Sequence, residues 1–197
     1  MTLNPLIAPP EPFDALIFDC DGTLADTMPT HFIAWVESLR LFGGDITEGE
    51  FYEMAGVPTP EVIRILNAKH GYTMDVDAAH HDKEGRYVKL LPQITELTPV
   101  ADIARAYKGR VPIAVASGGI RSVVTQTLTT LGLLELFDAI ITADDVTHGK
   151  PAPDIFLLAA ERLGASPAKC IVYEDGDAGL EAARRAGMRG IDVRVLG

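Results

Sequence analysis

A chain of 197 residues, 47% hydrophobic and 23% charged, is long enough for one domain, or for a compact core carrying a small insert, and too apolar for disorder. Its formal net charge of −11 argues against general binding to nucleic acid or to an anionic membrane, both of which want a basic face, and it favours a cation cofactor. Met1 to Pro12 lacks the basic start and long apolar stretch of a signal peptide, and no window is long enough to span a bilayer, so a cytoplasmic location is expected.

Pro9, Pro10 and Pro12 mark a flexible lead-in. Ala15 to Phe18 is a short apolar run of the length of a strand buried on both faces, and it ends abruptly in Asp19-Cys20-Asp21-Gly22-Thr23. Thr30 to Leu41 has apolar residues at helical spacing and is closed by Gly43-Gly44. Three more helices are expected: Glu48 to Met54, Pro60 to Lys69 with Thr59 as its cap, and Val76 to Leu91. Nothing among them reads as a strand, which suggests a helical subdomain over residues 30–92 lying above the acidic loop; the alternative is that these helices pack on the sheet.

From Thr98 onward helices and strands alternate. Helix Val100 to Tyr107 leads to strand Val111 to Ala116, then come helix Ile120 to Leu131, strand Phe137 to Thr142 and helix Asp154 to Leu163. Strand Lys169 to Tyr173, helix Ala178 to Ala186 and strand Gly190 to Val193 complete the chain. The expected class is α/β, a doubly wound, Rossmann-like parallel sheet with an inserted helical cap: residues 1–29 and 93–197 form the core and 30–92 the cap. Cys20 and Cys170 then lie at opposite ends of their strands, about 10 Å or more apart, too far for a disulfide. With no base beside it, Cys20 is a poor thiol nucleophile.

Ligands of open α/β sheets bind beyond the carboxyl ends of the strands, and four such ends here carry polar groups. They are Asp19-x-Asp21-Gly22-Thr23 with Thr27 beyond, Ser117-Gly118-Gly119, Lys150-Pro151, and Glu174-Asp175. Two carboxylates as close as Asp19 and Asp21 either share a proton or hold a cation. All-oxygen ligands favour a hard ion such as Mg²⁺, whose last ligands often come from a phosphate. Asp19 can then attack phosphorus while Asp21, the partly neutral partner, donates a proton to the leaving oxygen; an acidic, solvated turn is the simpler alternative. Ser117 to Gly119 offers backbone N–H groups before a helix, a phosphate cradle, and Lys150 can pair with Asp19 and the phosphoryl oxygens.

The four segments, in composition, order and rough spacing, resemble the haloacid dehalogenase superfamily, and the helical insert resembles its β-phosphoglucomutase-like branch. The resemblance implies that Asp19 is the phosphorylated nucleophile, Asp21 the acid and base, and Ser117, Gly118 and Lys150 the holders of phosphate. It implies Mg²⁺ bound by Asp19, the main-chain carbonyl of Asp21 and Asp175, with Glu174 as a ligand or just behind one. Asp21 argues against dehalogenase activity, since the dehalogenases lack this second aspartate. His31 and Trp35 resemble the substrate-side residues of the first cap helix, Lys83 lies near the family's cap-hinge lysine, and Thr23 shares the acidic loop; all are candidate substrate contacts. Taken alone, His31 is equally a packing residue and Trp35 equally cap core, while His80-His81 reads as solvated surface because neighbouring helical residues face apart. Gly56 to Pro60 has Thr59 where the mutases carry a phosphate-gripping arginine, which favours one-way hydrolysis.

The expected activity is Mg²⁺-dependent hydrolysis of a small phosphorylated metabolite, a sugar phosphate such as fructose 1-phosphate, through an aspartyl-phosphate. The enzymatic alternative is a phosphomutase of the β-phosphoglucomutase type. A receiver-like phosphoacceptor domain also uses acids, a hydroxyl and a lysine, but its acceptor sits on a middle strand of the sequence and it has no cap. A metal-binding protein that has lost its chemistry is the last rival. Neither nucleic acid nor membrane is an expected partner, and the sequence is silent on oligomeric state.

Overall fold

The computed structural model describes residues 3–196. Its central sheet is parallel, of the α/β class expected, with β1 (Ala15–Phe18) in the middle, paired on one side with β4 (Ile113–Ala116) and on the other with β6 (Cys170–Glu174). β5 (Ala139–Ile141) and β7 (Arg189–Asp192) form the edges, giving the order β5-β4-β1-β6-β7. Leu16 stands opposite Ile113 and Ile171, so the strands end at a common level. Every residue of β1, β4 and β6 is buried, as the unbroken apolar runs require of a sheet covered on both faces.

The two faces differ in bulk because alternate residues point to opposite sides. One carries Leu16, Phe18, Ile113, Val115, Ile171 and Tyr173 and packs against α5 (Thr98–Tyr107) and α6 (Arg121–Thr130). Phe18 and Tyr173 stack there with ring centroids 4.8 Å apart. The other carries the smaller Ala15, Ala114, Ala116, Cys170 and Val172, against which α7 (Asp154–Leu163) and α8 (Asp177–Arg185) pack. Both cysteines are free and buried.

Four helices follow the first acidic loop: α1 (Met28–Leu41), α2 (Glu48–Glu53), α3 (Thr59–His70) and α4 (Val76–Leu90). They enclose an apolar cluster of their own, with Trp35, Leu39, Phe51, Ile63 and Leu66, to which no residue of the central sheet contributes. A two-stranded antiparallel ribbon, β2 (Ala25–Asp26) and β3 (Thr95–Glu96), ties the two ends of this segment together; two residues are too few to show an alternation by which to expect it. Tyr87 of α4, fully buried, bonds through its hydroxyl with that of Thr127 on α6 at 3.0 Å, joining the helical segment to the core.

Some expectations need correction. The lead-in is packed: Ile7 is 0% exposed, and its carbonyl accepts the Tyr173 hydroxyl at 3.0 Å. Thr59 does not cap α3; Pro58 stands at the cap without a side-chain bond, Thr59 is the first helical residue, and Pro60 follows with its fixed φ. Most boundaries move by one or two residues: α1 begins at Met28, α4 stops at Leu90 before a 3₁₀ turn, and β4 starts at Ile113. Among the described residues no helix is long and apolar enough to cross a membrane.

Candidate active site

Beyond the carboxyl end of β1 the chain turns at Gly22, whose φ of 81° is open to glycine without penalty. The same position has no room for a Cβ, which would overlap the carboxylate of Asp175 from the end of β6. Glycine therefore lets the two acidic loops close on each other. Asp19, Glu174 and Asp175 bring a carboxylate oxygen each to within 4.8 Å of one another. Lys150 enters between them, its Nζ donating to Asp19 Oδ1 at 2.6 Å and to Glu174 Oε2 at 2.7 Å. Asp19, Lys150 and Glu174 are all buried.

Three carboxylates and one ammonium leave an excess of negative charge, and the proton affinities record it. Burial first, then the charge of Glu174, holds the Asp19 carboxyl well above the usual carboxylate range despite Lys150. Burial and Glu174 push Asp175 up to about 7, against the opposing hydrogen bond from Thr23. Burial opposes the charge on Lys150, yet Asp19 and Glu174 outweigh it and raise its pKa. The oxygens already committed are Asp19 Oδ1 to Lys150, both Glu174 oxygens to Lys150 and to the Gly176 N–H, and Asp175 Oδ1 to Thr23. Among the described residues nothing donates to Asp19 Oδ2 or Asp175 Oδ2. An all-oxygen set with surplus negative charge and free oxygens on two acids suits a hard divalent cation such as Mg²⁺.

The Asp21 carboxylate lies apart from that group. Its Oδ1 accepts from the Thr27 hydroxyl at 2.8 Å and pairs with His31 Nε2 at 3.2 Å. Burial acts to raise its pKa, but the charge and hydrogen bond of His31, with Thr27 and Lys83, outweigh it and hold Asp21 below the usual range. This reverses the expectation that Asp21 is the partly neutral member of the pair. Asp19, deeper and beside Glu174, is the acid pushed up. His31 stacks flat on Tyr87, and burial, then Lys83, lower its pKa. For Cys20, burial and the neighbouring Asp21 and Asp19 raise the thiol well above its ordinary value, which leaves it unreactive.

All these acids face a cleft of about 890 Å³ of empty space open to solvent, and Ser117, Gly118 and Lys150 line it with them. Ser117 Oγ accepts the Gly119 N–H at 3.1 Å and keeps its own proton to donate, and the Gly118 N–H has no acceptor among the described residues. The opposite wall comes from the helical segment: His31, Trp35, Gly56, Val57, Thr59 and Lys83 all line the same cleft. Trp35 belongs at once to this wall and to the helical segment's apolar cluster. Thr23 is the exception, 0% exposed and outside the lining, with its hydroxyl turned to Asp175 at 3.0 Å. Its hydroxyl is spent on holding an acid in place. Glu84 lines the cleft although the sequence reading passed it over; the polar face of α4 offers no periodicity that separates a cleft residue from a solvated one.

Comparison with known proteins agrees in kind with this geometry. The family model "haloacid dehalogenase-like hydrolase" matches residues 13–187. The chain is 39% identical over 186 residues to the fructose-1-phosphate phosphatase YqaB of Escherichia coli, covering 94% of this chain and 99% of that protein. The crystal structure of CbbY from Rhodobacter sphaeroides in complex with phosphate superposes with a TM-score of 0.80 at 30% identity, covering 90% of this chain and 84% of that one. The β-phosphoglucomutase of Clostridium difficile gives a TM-score of 0.81 at 26% identity, covering 90% and 83%.

Proposed function

The chain belongs to the haloacid dehalogenase-like hydrolases and is a phosphatase of that family, and we propose that it hydrolyses small sugar phosphates, fructose 1-phosphate among them, through an aspartyl-phosphate on Asp19. The observation that carries this reading is the acidic group of Asp19, Glu174 and the half-buried Asp175, with the Lys150 ammonium paired to the first two, open to a cleft with Ser117 and Gly118 on its rim. Residues 30–92 act as the cap that closes over the substrate and excludes water.

Ser117 Oγ, the Gly118 N–H and Lys150 Nζ bind the phosphoryl oxygens and present phosphorus to Asp19. The Asp19 carboxylate attacks as the bond from phosphorus to the sugar oxygen breaks. Asp21 gives its proton to that oxygen. Asp21 is ionised before substrate arrives; the incoming phosphate dianion supplies the like charge that raises its proton affinity, and it takes from solvent the proton that it then donates. Water then attacks phosphorus, Asp21 takes its proton, and the bond between phosphorus and Asp19 breaks, freeing the Asp19 carboxylate; as phosphate leaves, Asp21 gives its proton to solvent and is ionised again. Asp19, Asp175 and the main-chain carbonyl of Asp21, with Glu174 behind them, would hold Mg²⁺, which would supply neutralising charge for the phosphate and the acids together.

The test is phosphate release from a panel of sugar phosphates, with Mg²⁺ and then with chelator. Release that needs Mg²⁺ is expected. The similarity to a β-phosphoglucomutase favours a second reading, a mutase, which the same assay separates: glucose 6-phosphate formed from β-glucose 1-phosphate without free phosphate would establish it.

A further inference from the structure

We propose that Glu84 is the specificity-determining residue of the cap wall, accepting hydroxyls of the substrate's sugar and turning away a second phosphate. This rests on the phosphatase reading and extends it to the substrate's far end. Glu84 and Thr59 both line the cleft from the side opposite the acids, Thr59 at the start of α3 and Glu84 on α4. Thr59 Oγ1 donates to Glu84 Oε1 at 3.1 Å, and Lys83 Nζ donates to the same oxygen at 2.9 Å. Both donors thus fix one oxygen, while among the described residues none reaches Oε2. The carboxylate is held in one orientation with an acceptor to spare.

Charge on this wall decides what it can receive. Lys83 is its only full-time cation among the described lining residues, is 4% exposed, and has its charge already taken by Glu84. Among the described residues no arginine lines the cleft. Ile46, Phe51, Val57 and Val62, with Trp35, make the rest of the wall apolar. A second phosphate or a carboxylate would find the one full-time cation of this wall already paired to Glu84, and so no free cation to receive it. A neutral polyhydroxy body finds apolar surface for its C–H faces and one strong acceptor for its hydroxyls. The ligand class is therefore a monophosphate whose remainder is uncharged and hydroxylated.

The test measures binding without turnover, in an Asp19→Asn background, with fructose 1-phosphate and fructose 1,6-bisphosphate as ligands. With Glu84 in place the monophosphate should bind at least tenfold more tightly. Glu84→Gln, which keeps shape and removes charge, should weaken the monophosphate severalfold and shift the ratio toward the bisphosphate by about tenfold. Thr59→Val, which frees the carboxylate but keeps its charge, should weaken the monophosphate and leave the preference against the bisphosphate standing. General damage to the cap would weaken both ligands together, so an unchanged ratio in Glu84→Gln overturns the proposal, as does equal binding of the two ligands before substitution. Failure of the phosphatase reading would appear elsewhere, as absence of phosphate release from the protein with Asp19 intact.

Discussion

At the level of single residues, the site turns on how few cations face many acids. Lys150 is shared by Asp19 and Glu174 at 2.6 and 2.7 Å, and removing it strands buried charge. Lys150→Ala is expected to lower kcat by at least a hundredfold and to destabilise the metal-free protein by about 3 kcal/mol, read by steady-state kinetics and by denaturant unfolding. An unchanged rate would remove Lys150 from the phosphate site. Asp19→Asn should abolish turnover while its far-UV circular dichroism and unfolding transition stay those of a folded protein; turnover within tenfold would remove Asp19 as nucleophile. Asp19, Ser117, Lys150 and Glu174 are legible in the sequence because each follows a buried strand or its loop, where an open sheet gathers ligands. Thr23 and Glu84 are not. Thr23 adjoins the acids in sequence, yet the Gly22 turn sends its hydroxyl behind Asp175, and Glu84 reaches the cleft only through the packing of α4 beside α3.

Among the elements, the strands and helices of the core are readable by period, since runs such as Ile113 to Ala116 are buried on both faces and α7 keeps one apolar stripe. The ribbon of β2 and β3 is too short to have a period, and the cap of α3 is decided by Pro58 and Pro60 against the local preference of Thr59. Gly179 shows how an element serves the site. It lies inside α8, where replacing glycine with alanine ordinarily stabilises by about 1 kcal/mol. Here the added Cβ would overlap the Glu174 carboxylate that holds Lys150. Gly179→Ala is therefore expected to destabilise, by roughly 2 kcal/mol, and to lower kcat. Thermal unfolding that moves upward would contradict this contact.

For the whole molecule, a surplus of acid is stored at the mouth of the sheet and makes stability depend on pH and metal together. Asp175 titrates at about 7 when folded, because of burial and Glu174, and Asp19 is raised in the same direction. A carboxyl with a raised folded pKa binds more protons folded than unfolded, so its contribution falls as pH climbs from about 4 to 7, by on the order of a few kcal/mol. Asp21, lowered, works in the opposite sense and favours the fold above its unfolded pKa. With chelator, Tm should therefore decline between pH 5 and pH 8, and the gain in Tm on adding Mg²⁺ should be larger at pH 8, where the acids are already free of protons. An equal gain at both values would separate the metal from this acidic group. The covalent step on Asp19 is open to chemical trapping: protein turning over fructose 1-phosphate with Mg²⁺ is quenched with borohydride, which reduces an acyl phosphate to an alcohol, and the peptide containing residue 19 is read by mass spectrometry. Reduction is expected at Asp19 and is lost when substrate or Mg²⁺ is omitted; continued phosphate release with Asp19 unmodified and another residue reduced would exclude an aspartyl-phosphate at Asp19.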